Sequence, residues 1–65
     1  MYSHTCKAHA KFSKEQNQWF AVLDNGEQYL IGDGTSQDLD CKRDEGKQIL
    51  IYIEAWETKL IRLLN

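Results

Sequence analysis

The sequence predicts an all-β protein of five short strands, with one short helix between the third and fourth strands. Residues 4–12 alternate between apolar and polar side chains, which is the period of a half-buried strand. The pair Asn25-Gly26 stands between two short apolar runs, as in a β-hairpin. Residues 48–54 contain three isoleucines, which favour strands. At 65 residues we expect one domain, residues 1–65, near the lower size limit for independent folding.

The first strand is predicted over residues 4–12 and is followed by a polar connection over 13–17. Its even positions are apolar enough to be buried, and its odd positions are polar enough to face water. The buried set is His4, Cys6, Ala8, Ala10 and Phe12, and the exposed set is Thr5, Lys7, His9 and Lys11.

The second and third strands are predicted over residues 18–23 and 28–32. Asn25 and Gly26 tolerate the positive φ that a type I′ turn needs at both central positions, so they are expected to form the hairpin turn. If Trp19, Ala21 and Leu23 point inward, Phe20 and Val22 point outward.

A short helix is predicted within residues 35–46, after the break at Gly32-Asp33-Gly34. Thr35 or Ser36 can cap its first N–H groups. Acidic residues come early and basic residues late, the order that the helix dipole favours, and Gly46 can end the helix. The alternative is an acidic loop, because so short a helix has little stability of its own.

The last two strands are predicted over residues 48–54 and within 55–64. The final segment also has helical spacing of its apolar residues, so a C-terminal helix is the alternative. We favour a strand, entered by a turn near Trp56-Glu57-Thr58, because a helix would start directly from a strand without a cap. The predicted core is Cys6, Ala8, Ala10, Phe12, Trp19, Ala21, Leu23, Tyr29, Ile31, Leu39, Ile49, Ile51, Ile53 and Ile61.

This order of elements is that of the OB-fold, a five-stranded barrel that binds oligonucleotides. Residues 20–26 resemble the strand of translation initiation factor one that ends in a Glu-Asn-Gly turn, and residues 46–51 resemble the start of its fourth strand. Residues 17–22 occupy the place of the aromatic RNA-binding strand of the cold-shock proteins. The resemblance covers residues 6–64 and implies a small OB-like barrel that binds single-stranded nucleic acid or the ribosome.

The chain also differs from those families. It lacks the Gly-Phe-Gly-Phe core of the cold-shock motif, and Phe20, Val22 and Leu30 stand where initiation factor one has charged residues. An SH3- or Sm-like barrel is the alternative fold, since it too is built from short hairpins of this kind.

The charge of the chain is −2, and its acidic residues are concentrated between residues 21 and 45. Proteins dedicated to binding phosphate usually carry a basic excess, so the charge favours a protein partner. The N-terminus has no apolar segment of a signal peptide, and the longest apolar run is too short to span a membrane. We expect a cytoplasmic protein with no membrane partner, in which Cys6 and Cys41 are free thiols.

The candidate site is the exposed face of the predicted sheet. Aromatic side chains on such a face can stack on bases, and lysines beside them can contact phosphates. The apolar members could equally dock a protein, or could be covered by the C-terminal segment. The candidate residues are Phe20, Val22, Leu30, Leu50 and Tyr52, with Lys7, His9 and Lys11 on the first strand. We expect a non-enzymatic module that binds a partner protein or a second copy, with single-stranded RNA or DNA as the alternative.

Metal binding and catalysis are not expected. His4 and Cys6 share a strand face and Cys41 could approach them, but their spacing matches no zinc motif. Cys41 with a histidine could form a nucleophile–base pair, but so short a chain has little room for a substrate pocket beside its core. The sequence therefore predicts no cofactor and no small-molecule substrate.

Overall fold

The protein is a five-stranded antiparallel sheet with one helix of four residues, in a computed structural model that describes residues 3–55 and 57–64, except for the side chain of residue 33. The predicted all-β class, the five strands and the short helix after the third strand are confirmed. The elements are β1 (His4–Ser13), β2 (Gln18–Val22), β3 (Gln28–Leu30), α1 (Asp33–Ser36), β4 (Gln48–Ile53) and β5 (Thr58–Leu63).

The strands lie in the order β3-β2-β1-β4-β5, so the long first strand is at the centre. Its C-terminal half pairs with β2 and its N-terminal half pairs with β4. Beyond β4, the amide of Ala10 donates to the carbonyl of Lys47, and the amide of Gly46 donates to the carbonyl of Ala10. The central strand is therefore paired along its whole length, but it has neighbours on both sides only around His9 and Ala10.

The two edges of the sheet approach each other, but in the described residues no continuous ladder closes the sheet into a barrel. One parallel bridge joins Ile31 to Thr58, and the amide of Gly32 donates to the carbonyl of Thr58. A groove of about 280 Å³ lies beside this bridge. In the described residues the predicted barrel is not closed, and the two edges of the sheet meet only at this bridge.

The core lies on the inner face of the sheet, where the predicted alternation holds. Ile31, Ile49 and Ile51 are completely buried, and full burial of such a side chain contributes roughly 1.5–3 kcal/mol. Phe12 packs against Trp19 across the β1–β2 hairpin, with ring centroids 5.3 Å apart. The other buried apolar residues are Ala8, Ala10, Ala21 and Ile53, with Cys6, Leu23, Tyr29, Leu39, Leu60 and Leu63 partly buried against them.

Ile61 is the one predicted core residue that faces solvent, with 47% of its surface exposed. The register of β4 and β5 shifts between Leu50 and Ile51, so that Ile51 pairs with Leu60 and Leu50 pairs with Arg62. Ile61 is the extra residue of a β-bulge at this shift. In a regular strand, Leu60 and Leu63 would face opposite sides because they are three residues apart. The extra residue of the bulge lies between them, so both pack on the core. The same bulge explains why the apolar residues of this final segment have a spacing similar to that of a helix.

The final segment is a strand, as predicted, and the alternative of a C-terminal helix is wrong. Trp56, which was expected in the turn before it, lies outside the described residues. Among the residues that the structure describes, no helix is long and apolar enough to cross a membrane.

The turn between β2 and β3 is not the predicted type I′ turn, because only Gly26 has a positive φ, of 93°. The amide of Gly26 donates to the carbonyl of Leu23, and the amide of Leu23 donates to the carbonyl of Glu27. This pattern is typical of a three-residue hairpin loop in which a type I turn is followed by a left-handed residue. The turn is centred on Asp24 and Asn25, one residue earlier than expected. The side chain of Asn25 completes the loop by accepting a hydrogen bond from the Glu27 amide at 2.9 Å.

The predicted helix is shorter and earlier than expected, since α1 ends at Ser36 and residues 37–46 form turns. The hydroxyl of Thr35 accepts a hydrogen bond from the amide of Leu60 at 3.1 Å, so the helix is attached to β5. No side chain caps the first turn of the helix. The capping role predicted for Thr35 or Ser36 is therefore wrong, because both residues lie inside the helix.

Candidate functional site: the outer face of the sheet

The candidate site is the side of the sheet opposite the core, which we call the outer face. Its residues alternate with the inward-facing residues along β1 to β4, the bulge at Ile61 interrupts this alternation in β5, and all of them are half-buried or exposed. The outer face consists of Thr5, Lys7, His9 and Lys11 on β1, Phe20 and Val22 on β2, Gln28 and Leu30 on β3, Gln48, Leu50 and Tyr52 on β4, and Lys59 and Arg62 on β5. All eight candidate residues of the sequence lie on it.

The strand register arranges these side chains in rows across the sheet. One row contains Leu30, Phe20 and Lys11, and the next contains Gln28, Val22, His9 and Gln48. A third row contains Lys7, Leu50 and Arg62, and the last contains Thr5, Tyr52 and Lys59. Directly opposed side chains in a sheet are about 5 Å apart at their Cβ atoms. Each half of the face therefore combines one aromatic residue with at least one basic neighbour.

None of the five strands carries an aspartate or a glutamate. All ten acidic residues of the chain consequently lie outside the strands, whereas Lys7, Lys11, Lys59 and Arg62 lie in strands. The net charge of −2 thus conceals a face whose strand positions carry only positive charges. Charge summed over consecutive stretches of the chain does not reveal this, because each stretch mixes strand residues with turn residues.

The basic groups of the outer face differ in how far they are already paired. The amino group of Lys59 lies 3.3 Å from a carboxylate oxygen of Glu54, and this hydrogen bond raises the pKa of Lys59. In the described part of the chain, Lys7, Lys11 and Arg62 form no ion pair. These three charges are available to an anionic ligand.

Two aromatic residues stand at opposite ends of the face. Phe20 is opposite Lys11 on the central strand, and Tyr52 is opposite Thr5 on the same strand. The two rows are six positions apart along β1, from Thr5 to Lys11, which corresponds to about 20 Å along a strand. Both side chains are half-buried, so each presents part of its ring to solvent. Leu30 beside Phe20 is 45% exposed and extends the apolar surface at that end.

An open groove of about 420 Å³ borders the Phe20 end of the face. The turn between β1 and β2 forms one wall, with Lys14, Glu15 and Gln16, and Gln28 of β3 lies on another side. The turn closes through Asn17, whose φ of 55° is one that asparagine tolerates better than most residues. The amide of Gln16 donates to the hydroxyl of Ser13 at 3.3 Å. The groove is therefore part polar and part aromatic, and it continues from the outer face.

Sequence reasoning missed several residues of the outer face. Lys59 and Arg62 were not assigned because the direction of their side chains depends on the bulge at Ile61. Gln28 was not assigned to the outer face because its pairing with Val22 depends on the register of the β2–β3 hairpin. Lysine and arginine flanking the apolar positions of β5 were the one signal that could have suggested the basic edge.

The other sequence candidates are separated in the fold. Cys6 is half-buried on the inner face and Cys41 is exposed in the turns after α1. Burial raises the pKa of the Cys6 thiol, which disfavours the thiolate. Among the described residues, no three histidine, cysteine, aspartate or glutamate side chains converge as metal ligands would.

Comparison with protein-family models, with curated proteins and with solved structures finds no match to this chain.

Proposed function

We propose that the protein binds single-stranded nucleic acid through the outer face. The observation that carries this proposal is the segregation of charge, because the strands contribute four cations and no carboxylate to the sheet. Phosphates attract such a surface regardless of base sequence. The two aromatic residues supply stacking platforms, and each stacked base is worth about 1–3 kcal/mol.

Charge complementarity favours nucleic acid over a neutral protein surface. Lys7, Lys11 and Arg62 are unpaired within the described residues, and burial of unpaired cations under an apolar partner would be costly. A second copy would place these cations against each other if the same face were shared by a two-fold axis. A single strand neutralises them with phosphates while its bases cover Phe20 and Tyr52.

The proposal includes an OB-like barrel as the finer description of the fold. The strand order β3-β2-β1-β4-β5 and the parallel bridge between Ile31 and Thr58 support it. In a partly open barrel of this kind, the face formed by β2 and β3 binds oligonucleotides. Phe20, Val22, Gln28 and Leu30 belong to that face. A single domain spanning residues 1–65, related to the small OB-fold proteins, is part of the same proposal.

The role proposed is that of a binding module without catalysis, cofactor or small-molecule substrate. We also propose a cytoplasmic location. Both cysteines are free in the structure, which agrees with a reducing compartment.

The test is a fluorescence anisotropy titration of labelled 12-nucleotide DNA and RNA at low salt. We expect a Kd below about 100 μM for single strands and weaker binding to a duplex, since paired bases cannot stack on the protein. Phe20→Ala is expected to weaken binding about 5- to 100-fold, the equivalent of one lost stacked base. Leu30→Ala is the comparison, because it removes an apolar side chain of the same face that has no ring, so a smaller loss of affinity than in Phe20→Ala identifies stacking.

Two outcomes would overturn the proposal. One is a Kd above about 100 μM at low salt, where phosphate contacts are strongest. The other is light scattering that shows a stable dimer broken by Leu50→Glu, a substitution at the centre of the face. That result would assign the outer face to a second copy instead, and a monomer that binds oligonucleotides supports the proposal.

A further inference from the structure

The groove beside Phe20 differs from the rest of the outer face because residues outside the strands also line it. The turn between β1 and β2 contributes Lys14, Glu15 and Gln16, and β3 contributes Gln28. Tyr52 lines neither this groove nor the grooves beside the Ile31–Thr58 bridge and between α1 and β5. A base stacked on Tyr52 would meet only strand residues, whereas a base stacked on Phe20 would have polar side chains at its edge.

The lining of the groove contains groups suited to different parts of a nucleotide. Phe20 is the aromatic surface, and Lys11 and Lys14 are cations for the flanking phosphates. Gln16 and Gln28 each offer an amide that can donate and accept hydrogen bonds. Gln28 lies diagonally across from Phe20, because its direct partner Val22 is two residues from Phe20 on β2. Diagonal neighbours of this kind are about 7–8 Å apart.

Glu15 is the one carboxylate among the described residues that line this groove. A carboxylate repels phosphate, so its presence does not help non-specific binding. It accepts hydrogen bonds and cannot donate them. The exocyclic amino group of a base donates, and glutamate accepting from the amino group of cytosine is a known form of base recognition. Thymine and uracil present a carbonyl oxygen at that position, and this oxygen would face the carboxylate unfavourably.

We propose that this groove is a subsite for one base, and that it prefers bases with an exocyclic amino group through Glu15. This inference rests on the proposed function of the outer face, because it specifies what the Phe20 end of that face selects. The base stacks on Phe20, its amino group donates to Glu15, and the amides of Gln16 and Gln28 satisfy its remaining edge. Its flanking phosphates lie at Lys11 and Lys14.

The experiment compares two 12-nucleotide DNA strands, one of cytosine and one of thymine, by anisotropy at constant low salt. These homopolymers share the same backbone, pyrimidine ring size and flexibility, so their difference reports recognition of the base edge. We expect the cytosine strand to bind at least about fivefold more tightly, the lower limit for one good base contact. In Glu15→Gln this ratio should fall towards one, since an amide accepts either base.

The matched control is Asp38→Asn, which removes the same charge from an exposed residue that lines a different groove. It should leave the ratio unchanged while raising the affinity for both strands slightly. Circular dichroism spectra of both variants are the check that they fold. The Glu15 variant is expected to do so because its residue is an exposed turn position.

The results separate this inference from the proposed function. If neither strand binds the unaltered protein, the proposed function fails. If both strands bind equally, or if Glu15→Gln raises both affinities in the same proportion and keeps their ratio, nucleic-acid binding stands and the base subsite is wrong.

Discussion

The guanidinium of Arg43 binds the carboxylate of its neighbour Asp44 through two hydrogen bonds of 2.9 Å, while the Asp44 side chain is completely buried. The second oxygen of Asp44 also accepts a hydrogen bond from the amide of Asp40 at 3.0 Å. The amino group of Lys47 lies 3.7 Å from the Oδ1 atom of Asp44. These contacts hold together the turns that lead from α1 to β4. The acidic segment after α1 therefore contains a buried structural carboxylate.

Acid should weaken the fold through Asp44. The hydrogen bonds from Arg43 and from the Asp40 amide lower its pKa from 3.8 to about 2. The stabilisation of the fold by ionised Asp44 is therefore fully present above the pKa of this residue in the unfolded chain. It is lost as the pH falls from about 4 towards 2. Urea unfolding between pH 2 and pH 6 measures this. Asp44→Asn should unfold at a lower urea concentration at pH 6, and its stability should decrease less as the pH is lowered. Asp38→Asn is the control. If the stability of Asp44→Asn decreases with falling pH as much as that of the unaltered protein, Asp44 is not the group responsible.

The bulge in β5 makes opposite predictions for two adjacent residues. Leu60→Ala removes a side chain packed on the core and should lower the free energy of unfolding by about 2 kcal/mol. Ile61→Ala removes an exposed side chain and should change it by less than about 0.5 kcal/mol. Chemical denaturation of both variants is the measurement. A larger loss for Ile61 than for Leu60 would mean that the register of β5 is one residue different.

The hairpin loop predicts a contrast between two glycines. Gly26 has a φ of 93°, so Gly26→Ala should destabilise the protein by about 1 kcal/mol through backbone strain. Gly34 lies in α1 and has open space where the Cβ of an alanine would lie, so Gly34→Ala should stabilise the protein by about 0.5 kcal/mol. Thermal unfolding should therefore shift in opposite directions. Equal effects would contradict the left-handed position assigned to Gly26.

Salt dependence should identify which lysines contact phosphate. Lys11→Gln should reduce the slope of log Kd against log salt by about 0.7, the value for one phosphate contact on a single strand. Lys42→Gln is the matched control, because Lys42 lies in the turns after α1 and outside the outer face. Titrations at four salt concentrations give both slopes. Equal reductions in the two variants would mean that binding follows total charge rather than the outer face.

The local pattern of the sequence determined most of the fold. Alternation in residues 4–12 and 18–23 predicted the buried sides of β1 and β2 because the side-chain period of a strand needs no distant contact. The same alternation predicted that Phe20, Val22, Leu50 and Tyr52 would share a face. Asn25-Gly26 predicted the hairpin but not its turn type, since glycine satisfies the left-handed position of more than one loop.

Only the tertiary structure decided the features that depend on pairing between distant segments. Pairing with β4 leaves Ile61 as the extra residue of a bulge, and this bulge places Lys59 and Arg62 together on the face of Lys7 and Lys11. Asp44 is buried because the turns after α1 pack near β1, where the Phe12 amide donates to Glu45 at 3.3 Å. The separation of basic residues in the strands from acidic residues in the turns depends on where each strand begins and ends. A net charge does not show it, because a net charge counts residues without regard to the side of a sheet on which they lie.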